Sequence, residues 1–307
     1  MQYLQRLTTR LTSGLEKLSA EDRTRHADYL LGWQNDDGGF SGREGGSDLY
    51  YTGFALRGLA VLDALSLEVA EKTAPFLREN LTRSASIVDF YSLMFSALII
   101  QGAGGPDVLA DSPADWPDRV SQILETFKAG DGGYAKATGA KSGSTYTTFL
   151  VGLCYEMLGR NFPNPQQVLD FVESRVRDNG GYVELAPMKT SNTNPTAAAV
   201  GIAQLIHGEK FNPNDFEHVA DFLAEMSSME GGLCANTRIP VADLLSTFTG
   251  CWTLAQLNAP NRVDSDSILA YARSLLDDDG GFRGGIWDER SDVEYTFYGL
   301  GVLALFS

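Results

Sequence analysis

The sequence predicts an all-α protein: six helix hairpins closed into a ring, with an apolar helix of each hairpin facing a central cavity and a more polar helix covering it. Three observations carry that expectation. A Gly-Gly pair begins at residues 38, 132, 180, 231 and 280, a period of about 49 residues with the first interval doubled, and such periods mark arrays of one supersecondary unit. Each pair separates a segment of mixed polarity from one that is apolar on nearly every face, the patterns of a covering and of a buried helix. Finally, the two ends of the chain are the most alike. Asp37-Gly38-Gly39-Phe40 followed by Ser47-Asp48-Leu49-Tyr50-Tyr51-Thr52 matches Gly280-Gly281-Phe282 followed by Ser291-Asp292-Val293-Glu294-Tyr295-Thr296. An open stack needs polar end caps, and neither end resembles one, so closure is expected.

Taken in order, residues 1–34 read as helices, with capping signals at Thr12-Ser13 and Ser19-Ala20-Glu21-Asp22. The turn at Asp36-Asp37-Gly38-Gly39 ends them, and an apolar helix over 48–62 comes next. The second repeat lacks the glycine pair and is located by Ile87-Val88-Asp89-Phe90-Tyr91-Ser92 and the apolar run to Ile100. Later repeats pair polar helices at 114–127, 165–177, 215–227 and 264–276 with apolar ones at 146–158, 196–206, 244–257 and 295–305. Period-2 alternation between hairpin turns is scarce, which excludes a substantial sheet. The whole of 1–307 is expected to form one domain of six repeats.

Bulk composition narrows the function. An apolar fraction of 43% over 307 residues supports a large core, and no apolar run approaches the roughly 20 residues of a membrane helix. The start, Met1-Gln2-Tyr3-Leu4-Gln5-Arg6, lacks the apolar centre of a signal peptide. Cys154, Cys234 and Cys251 are an odd number set in or beside apolar segments, as reduced thiols are. A cytoplasmic protein is expected. With 24 basic against 40 acidic residues and a formal charge of −16, the chain repels nucleic acid rather than gathering it.

Equivalent positions at the starts of the apolar helices hold Asp48, Asp89, Ser144, Asn192 or Asn194, Asp243 and Asp292. All are N-cap residues, each contributing about 1 kcal/mol in that role; carboxylates among them could also face the cavity as acids or metal ligands. Beside them lie aromatic residues, among them Tyr51, Tyr91, Tyr146, Phe248, Trp252, Tyr295 and Tyr298, with Tyr50, Phe54, Phe90, Phe149 and Phe297. At helical spacing such rings form core, and around a common axis they also form an apolar funnel suited to a long hydrocarbon.

The Gly-Gly-Phe-x-Gly turn, the Asp-x-x-Tyr-Thr helix start and the 49-residue period resemble the repeat of the prenyltransferase and squalene-cyclase superfamily over all six units. The resemblance implies an α6/α6 toroid. Within the superfamily the chain looks most like the β subunit of protein prenyltransferases, the geranylgeranyl transferase branch in particular. That likeness implies an isoprenoid diphosphate (geranylgeranyl or farnesyl) as ligand, a helical-repeat α subunit as partner, and a catalytic Zn²⁺ that turns an acceptor thiol into a nucleophilic thiolate.

Carried over residue by residue, the implied zinc triad is incomplete. Its Asp falls on Asp243, its Cys on Leu245 and its His on Tyr295; His26, His207 and His218 lie elsewhere. Asp243 and Asp292 are the expected catalytic residues, with Asp243 the one retained metal ligand. Tyr51, Tyr91, Tyr146, Asn194, Arg238, Phe248, Trp252, Tyr295 and Tyr298 are the expected substrate contacts. Arg238 and Asn194 fall where the family binds diphosphate, and Arg43, Arg283 and Arg290 are further phosphate partners. The acidic run of the cyclase branch, Asp-x-Asp-Asp at an inner helix start, is missing; Asp264-Ser265-Asp266-Ser267 opens a covering helix as its cap. Asp288-Glu289-Arg290-Ser291-Asp292 distantly resembles an acidic diphosphate motif but sits in a loop. Two alternatives therefore stand beside a transferase: a toroid kept as a non-catalytic binding protein or scaffold, and a terpene cyclase with a non-standard acid.

Overall fold

The computed structural model describes residues 2–81 and 86–307. Thirteen α-helices occur among them: α1 (Tyr3–Leu15), α2 (Ala20–Leu31), α3 (Leu49–Val61), α4 (Leu67–Asn80), α5 (Ile87–Gly102), α6 (Trp116–Thr126), α7 (Thr145–Met157), α8 (Pro165–Glu173), α9 (Thr193–His207), α10 (Glu217–Glu225), α11 (Leu244–Gln256), α12 (Ser265–Ser274) and α13 (Val293–Phe306). Four short strands pair as two antiparallel ribbons: β1 (Cys234–Asn236) with β2 (Ile239–Ala242), and β3 (Phe282–Arg283) with β4 (Ser291–Asp292). Helices apolar on nearly all faces (α3, α5, α7, α9, α11, α13) alternate with amphipathic ones.

The chain forms two compact units. One comprises Asp115–Tyr271 with the first residues through Gln5, the other Arg6–Ala114 with Ala272–Ser307. In the first, α9 packs between α7 and α11, with α8 and α10 against them; in the second, α3 packs between α5 and α13, with α2 and α4 against them.

The recurring sequence signature is a fastening. Asp48, Ser144, Asp243 and Asp292 cap α3, α7, α11 and α13, each accepting the amide of the residue three ahead. Four residues after each cap comes a threonine: Thr52, Thr148, Thr247 and Thr296, with Thr196 four after Asn192 in α9. Each hydroxyl accepts, at 2.8 to 3.0 Å, the amide that follows a Gly-Gly pair, on Phe40, Tyr134, Leu233, Phe282 and Tyr182 respectively. In α7, α9, α11 and α13 the same hydroxyl donates to the cap residue's carbonyl at 2.6 to 2.8 Å. Cap and threonine together tie each glycine turn to the start of its apolar helix and satisfy a buried amide that would otherwise cost about 1–3 kcal/mol.

The glycines serve a second contact. At Gly280 (φ +99°) an added Cβ would lie 2.7 Å from the Arg25 carbonyl oxygen of α2, and at Gly281 2.4 Å from the Tyr29 ring. Each earlier second glycine likewise meets an aromatic ring of the following covering helix: Gly39 meets Phe76, Gly133 Phe171, Gly181 Phe222 and Gly232 Tyr271. The sixth turn thus rests on α2 of the first repeat as the four other glycine turns each rest on the covering helix that follows. His26 of α2 completes the seam: buried and pushed below its usual pKa by that burial, it donates Nδ1–H to the Gly280 carbonyl at 2.6 Å and stacks on Phe282.

Several expectations need correction. Ser86, not Asp89, caps α5; Asp89 sits three residues in and accepts the Ser86 hydroxyl at 2.8 Å, a Ser-x-x-Asp box that satisfies the same end. Thr12-Ser13 lies inside α1, whose buried Tyr3, Leu4, Leu11 and Leu15 run straight through it. Asn192 rather than Asn194 is the α9 cap, and α9 begins three residues earlier than its apolar run because Pro195 falls in the first turn, where its missing N–H is not needed. The covering helix α4, with Pro75 inside it, has no counterpart in the expected plan. The missing glycine turn of the second repeat falls on 82–85, outside the described residues. All three cysteines are buried free thiols, and no helix among the described residues is long and apolar enough to cross a membrane.

Candidate functional site

In the second unit the starts of α3, α5 and α13 gather the polar and aromatic residues of the signature. Arg43, in the loop before α3, closes a bidentate bond to Asp288 (2.9 and 2.6 Å) and an ion pair to Asp292 through Nε at 2.9 Å. Asp288 also accepts the amides of Gly284 and Arg290. Burial pushes both carboxyls up; for Asp288 the Arg43 bonds and the two amides outweigh it and hold the group below its ordinary range. For Asp292, 3% exposed, burial wins over the Tyr295 amide and Arg43, and the group is raised.

In the first turn of α13, Glu294 accepts the Tyr50 hydroxyl at 2.6 Å. Burial raises its pKa, opposed by the bonds from Tyr50 and Tyr298. Around it the rings form a continuous wall: Tyr50 meets Phe54 edge-on at 4.9 Å, and Phe54 meets Tyr298 at 5.3 Å and Phe297 at 5.7 Å. Tyr91 and Phe95 of α5 pack at 5.8 Å. Arg57, the only lysine or arginine on the six apolar helices, lies over Phe54 at 4.0 Å and Phe297 at 5.0 Å, with Tyr91 and Phe95 each at 5.9 Å.

The expected site residues divide between the units. Asp292, Tyr51, Tyr91, Tyr295 and Tyr298 belong to the second. There Tyr51 packs edge-on against Tyr50 and over Gly42, and Tyr295 lies against Gly284 beneath the Arg43 guanidinium. Asp243, Asn194, Tyr146, Arg238, Phe248 and Trp252 belong to the first. Asp243 accepts the Ser246 amide at 2.6 Å and hydroxyl at 2.8 Å, and burial raises its pKa against those bonds. Asn194 accepts the Thr249 hydroxyl at 2.7 Å. Arg238 is exposed in the turn between β1 and β2, while Trp252 is buried and donates its indole N–H to the Tyr3 hydroxyl at 3.1 Å. Phe248 is buried, and Tyr146 is exposed with its amide on Glu184.

Sequence reasoning missed Glu294 and Arg57. The signal for both was present: a carboxylate and a guanidinium inside otherwise apolar helices, where an ionised group is costly unless something compensates it.

A family model for the prenyltransferase alpha-alpha toroid domain matches residues 7–79 and 91–307. No curated protein matches in sequence. Among solved structures the chain is similar to Candida albicans protein geranylgeranyltransferase-I complexed with GGPP, at 12% identity and a TM-score of 0.74 over 92% of this chain and 90% of that one. It is similar also to a variant of the type II terpene cyclase MstE from Scytonema in complex with geranylgeranyl dihydroxybenzoate, at 12% identity and a TM-score of 0.62, covering 96% and 97%. A third is the GH76A alpha-1,6-mannanase from Salegentibacter sp. HEL1_6, at 13% identity and a TM-score of 0.60, covering 93% and 98%. At such identities the likeness shows the fold alone.

Proposed function

The chain belongs to the prenyltransferase alpha-alpha toroid family, and from that premise we propose that it binds an isoprenoid of the geranylgeranyl or farnesyl class against the aromatic wall of α3, α5 and α13. Its fold is the all-α toroid of that family. The observation that carries the proposal is the wall itself: Phe54, Tyr91, Phe95, Phe297 and Tyr298 come from three adjacent apolar helices. Edge-to-face rings present both apolar area and negative π-faces, which fit a branched polyene, whereas a sugar needs a dense set of hydroxyl partners. That two of the similar structures carry geranylgeranyl groups supports the same ligand class.

The zinc ion that the resemblance implies does not fit these residues. Leu245 and Tyr295 stand where a thiolate and an imidazole are required, and both Asp243 oxygens are bonded to Ser246. Among the described residues no three His, Cys, Asp or Glu side chains stand together as metal ligands. In this reading Asp243 and Asp292 hold the starts of α11 and α13, and binding does not depend on metal. Calorimetric titration with geranylgeranyl diphosphate should give saturable binding of the same affinity with and without added Zn²⁺. Binding that appears only with stoichiometric zinc, or no binding at all, overturns the proposal.

Glu294 favours a second reading, a terpene cyclase with a non-standard acid. A carboxyl whose pKa burial raises, bonded by Tyr50 and Tyr298 beside the ring wall, is placed to donate a proton to an alkene, while the rings stabilise the resulting carbocation. Incubated with geranylgeranyl diphosphate, the wild type should then release a cyclised product detectable by mass spectrometry, and Glu294→Gln should lower its formation by roughly 100-fold or more. Recovery of unchanged substrate from the wild type excludes this reading.

A further inference from the structure

Arg57 has no obvious structural duty. Its Nε donates to the Gly53 carbonyl one turn back at 2.9 Å, and its guanidinium carbon lies over rings from three helices, with Phe54 at 4.0 Å, Phe297 at 5.0 Å, and Tyr91 and Phe95 at 5.9 Å. Cation–π contact offsets part of the cost of taking the charge out of water, though less than a counter-ion would. The other arginines near the helix starts of this unit are committed: Arg43 to Asp288 and Asp292, Arg283 to Asp277 at 3.0 Å, and Arg290 towards Glu44 at 3.9 Å. Among the described residues Arg57 has no ion-pair partner. Glu294 acts on it only through space, since its carboxylate is bonded by Tyr50 and Tyr298.

A surface arginine in this state would be unremarked, because it would extend into water. Arg57 instead bonds back along α3 through Nε and carries its guanidinium carbon over the rings. The Gly53 bond and the ring contacts restrain the head. What remains is the pair of terminal nitrogens, in the fork geometry that matches two oxygens of one anion. The ordering cost of an anion-binding arginine has therefore been met before a ligand arrives.

We propose that Arg57 anchors the anionic head, a phosphate or a carboxylate, of an amphipathic ligand whose apolar chain lies along the ring wall. This rests on the isoprenoid reading above and adds the chemistry of the head. It differs from the head recognition that the family resemblance implies, because Arg238 and Asn194 lie in the other unit and are exposed or bonded to Thr249 respectively. A single guanidinium without a metal suits a head of one or two charges held by direct hydrogen bonds.

The test compares four C20 ligands with the same chain: geranylgeranyl diphosphate, geranylgeranyl monophosphate, geranylgeranoic acid and the neutral geranylgeraniol, each titrated calorimetrically into wild type, Arg57→Met and Arg57→Lys. Methionine keeps an apolar stem over Phe54, and an unchanged melting temperature establishes that the variants fold. In wild type at least one anionic ligand should bind roughly 10- to 100-fold more tightly than the alcohol. Arg57→Met should abolish that difference while leaving alcohol binding within about threefold, and Arg57→Lys should restore part of it. Tighter binding of the phosphates than of the acid identifies the head as phosphate, and the reverse as carboxylate. If alcohol and anions bind equally to wild type, or if Arg57→Met keeps the preference for anions, the anchor is refuted while the isoprenoid reading stands. If none of the four ligands binds, the isoprenoid reading itself fails.

Discussion

Gly280→Ala should destabilise the fold by roughly 3–5 kcal/mol and lower the melting temperature by roughly 5–10 °C. Two separate costs combine. The residue has φ +99°, a backbone conformation that side chains other than glycine's rarely adopt, and the new Cβ would lie 2.7 Å from the Arg25 carbonyl oxygen. That oxygen belongs to the backbone of α2, packed on α3 and α13, and cannot swing aside as a side-chain end could. Gly45→Ala separates the costs. Gly45 has φ +85° but nothing within 4 Å of an added Cβ, so it should cost about 1 kcal/mol from backbone strain alone. Thermal unfolding of the two variants decides the matter: equal losses would mean that the approach of the last turn to α2 contributes nothing.

A comparable loss, roughly 3–5 kcal/mol, is expected for Asp131→Ala. Its carboxylate meets the Arg175 guanidinium at 2.5 Å, and the arginine side chain is 3% exposed and lies over Phe171 at 4.3 Å. Removing the acid leaves a charge in the core with only the Ser174 and Ser142 hydroxyls and the Gly143 carbonyl around it. Asp131→Asn tests the role of charge, since an amide can keep the Gly133 and Ser142 bonds, as Asn179 accepts the Gly181 amide and the Ser191 hydroxyl in the next repeat. There, four residues beyond the ring that meets Gly181, Met226 stands in place of arginine. Burial raises the Asp131 pKa, but the Gly143 amide, Arg175 and Ser142 outweigh it and the group is lowered below 3.8. Its contribution is therefore present above that pH and lost as the pH falls through the depressed value. Denaturant titrations at pH 7 and pH 3 should show Asp131→Ala narrowing its deficit in acid; a deficit independent of pH would assign the loss to packing.

The helix plan was legible because its determinants are local and repeated. A cap, a threonine four residues later and a glycine pair, with an aromatic after four of the five pairs, write the same contacts at each glycine turn, and any one copy can be read from the others. Where a local rule has two solutions the sequence misleads: Asp89 and Ser86 satisfy the same helix end, and only their geometry tells which residue is the cap. The covering helix α4 escaped because its repeat lacks the glycine marker and Pro75 interrupts the pattern of a covering helix.

The site was legible as a composition and not as a geometry. Tyr51, Tyr91, Tyr295 and Tyr298 could be placed near helix starts, but whether a ring lines a wall or fills the core depends on packing between helices far apart in sequence. Arg57 illustrates the limit. Within an apolar run one arginine reads as a side chain reaching for solvent, and only the positions of Phe297, Tyr91 and Phe95 reveal that its head lies over rings of neighbouring helices.

The seam between the sixth turn and α2 also bears on how the chain comes to fold. His26 and the Gly280 carbonyl that it bonds are 254 residues apart, so α2 emerges early in synthesis with its partner face unmade. Until the last turn arrives, the Tyr29 ring and the neighbouring apolar side chains of α2 stay open to solvent or to other chains. Contacts of such sequence separation slow folding and lengthen exposure to aggregation. A nascent chain stalled before residue 280 should therefore be a substrate for chaperones, and release from them should follow completion of the final repeat.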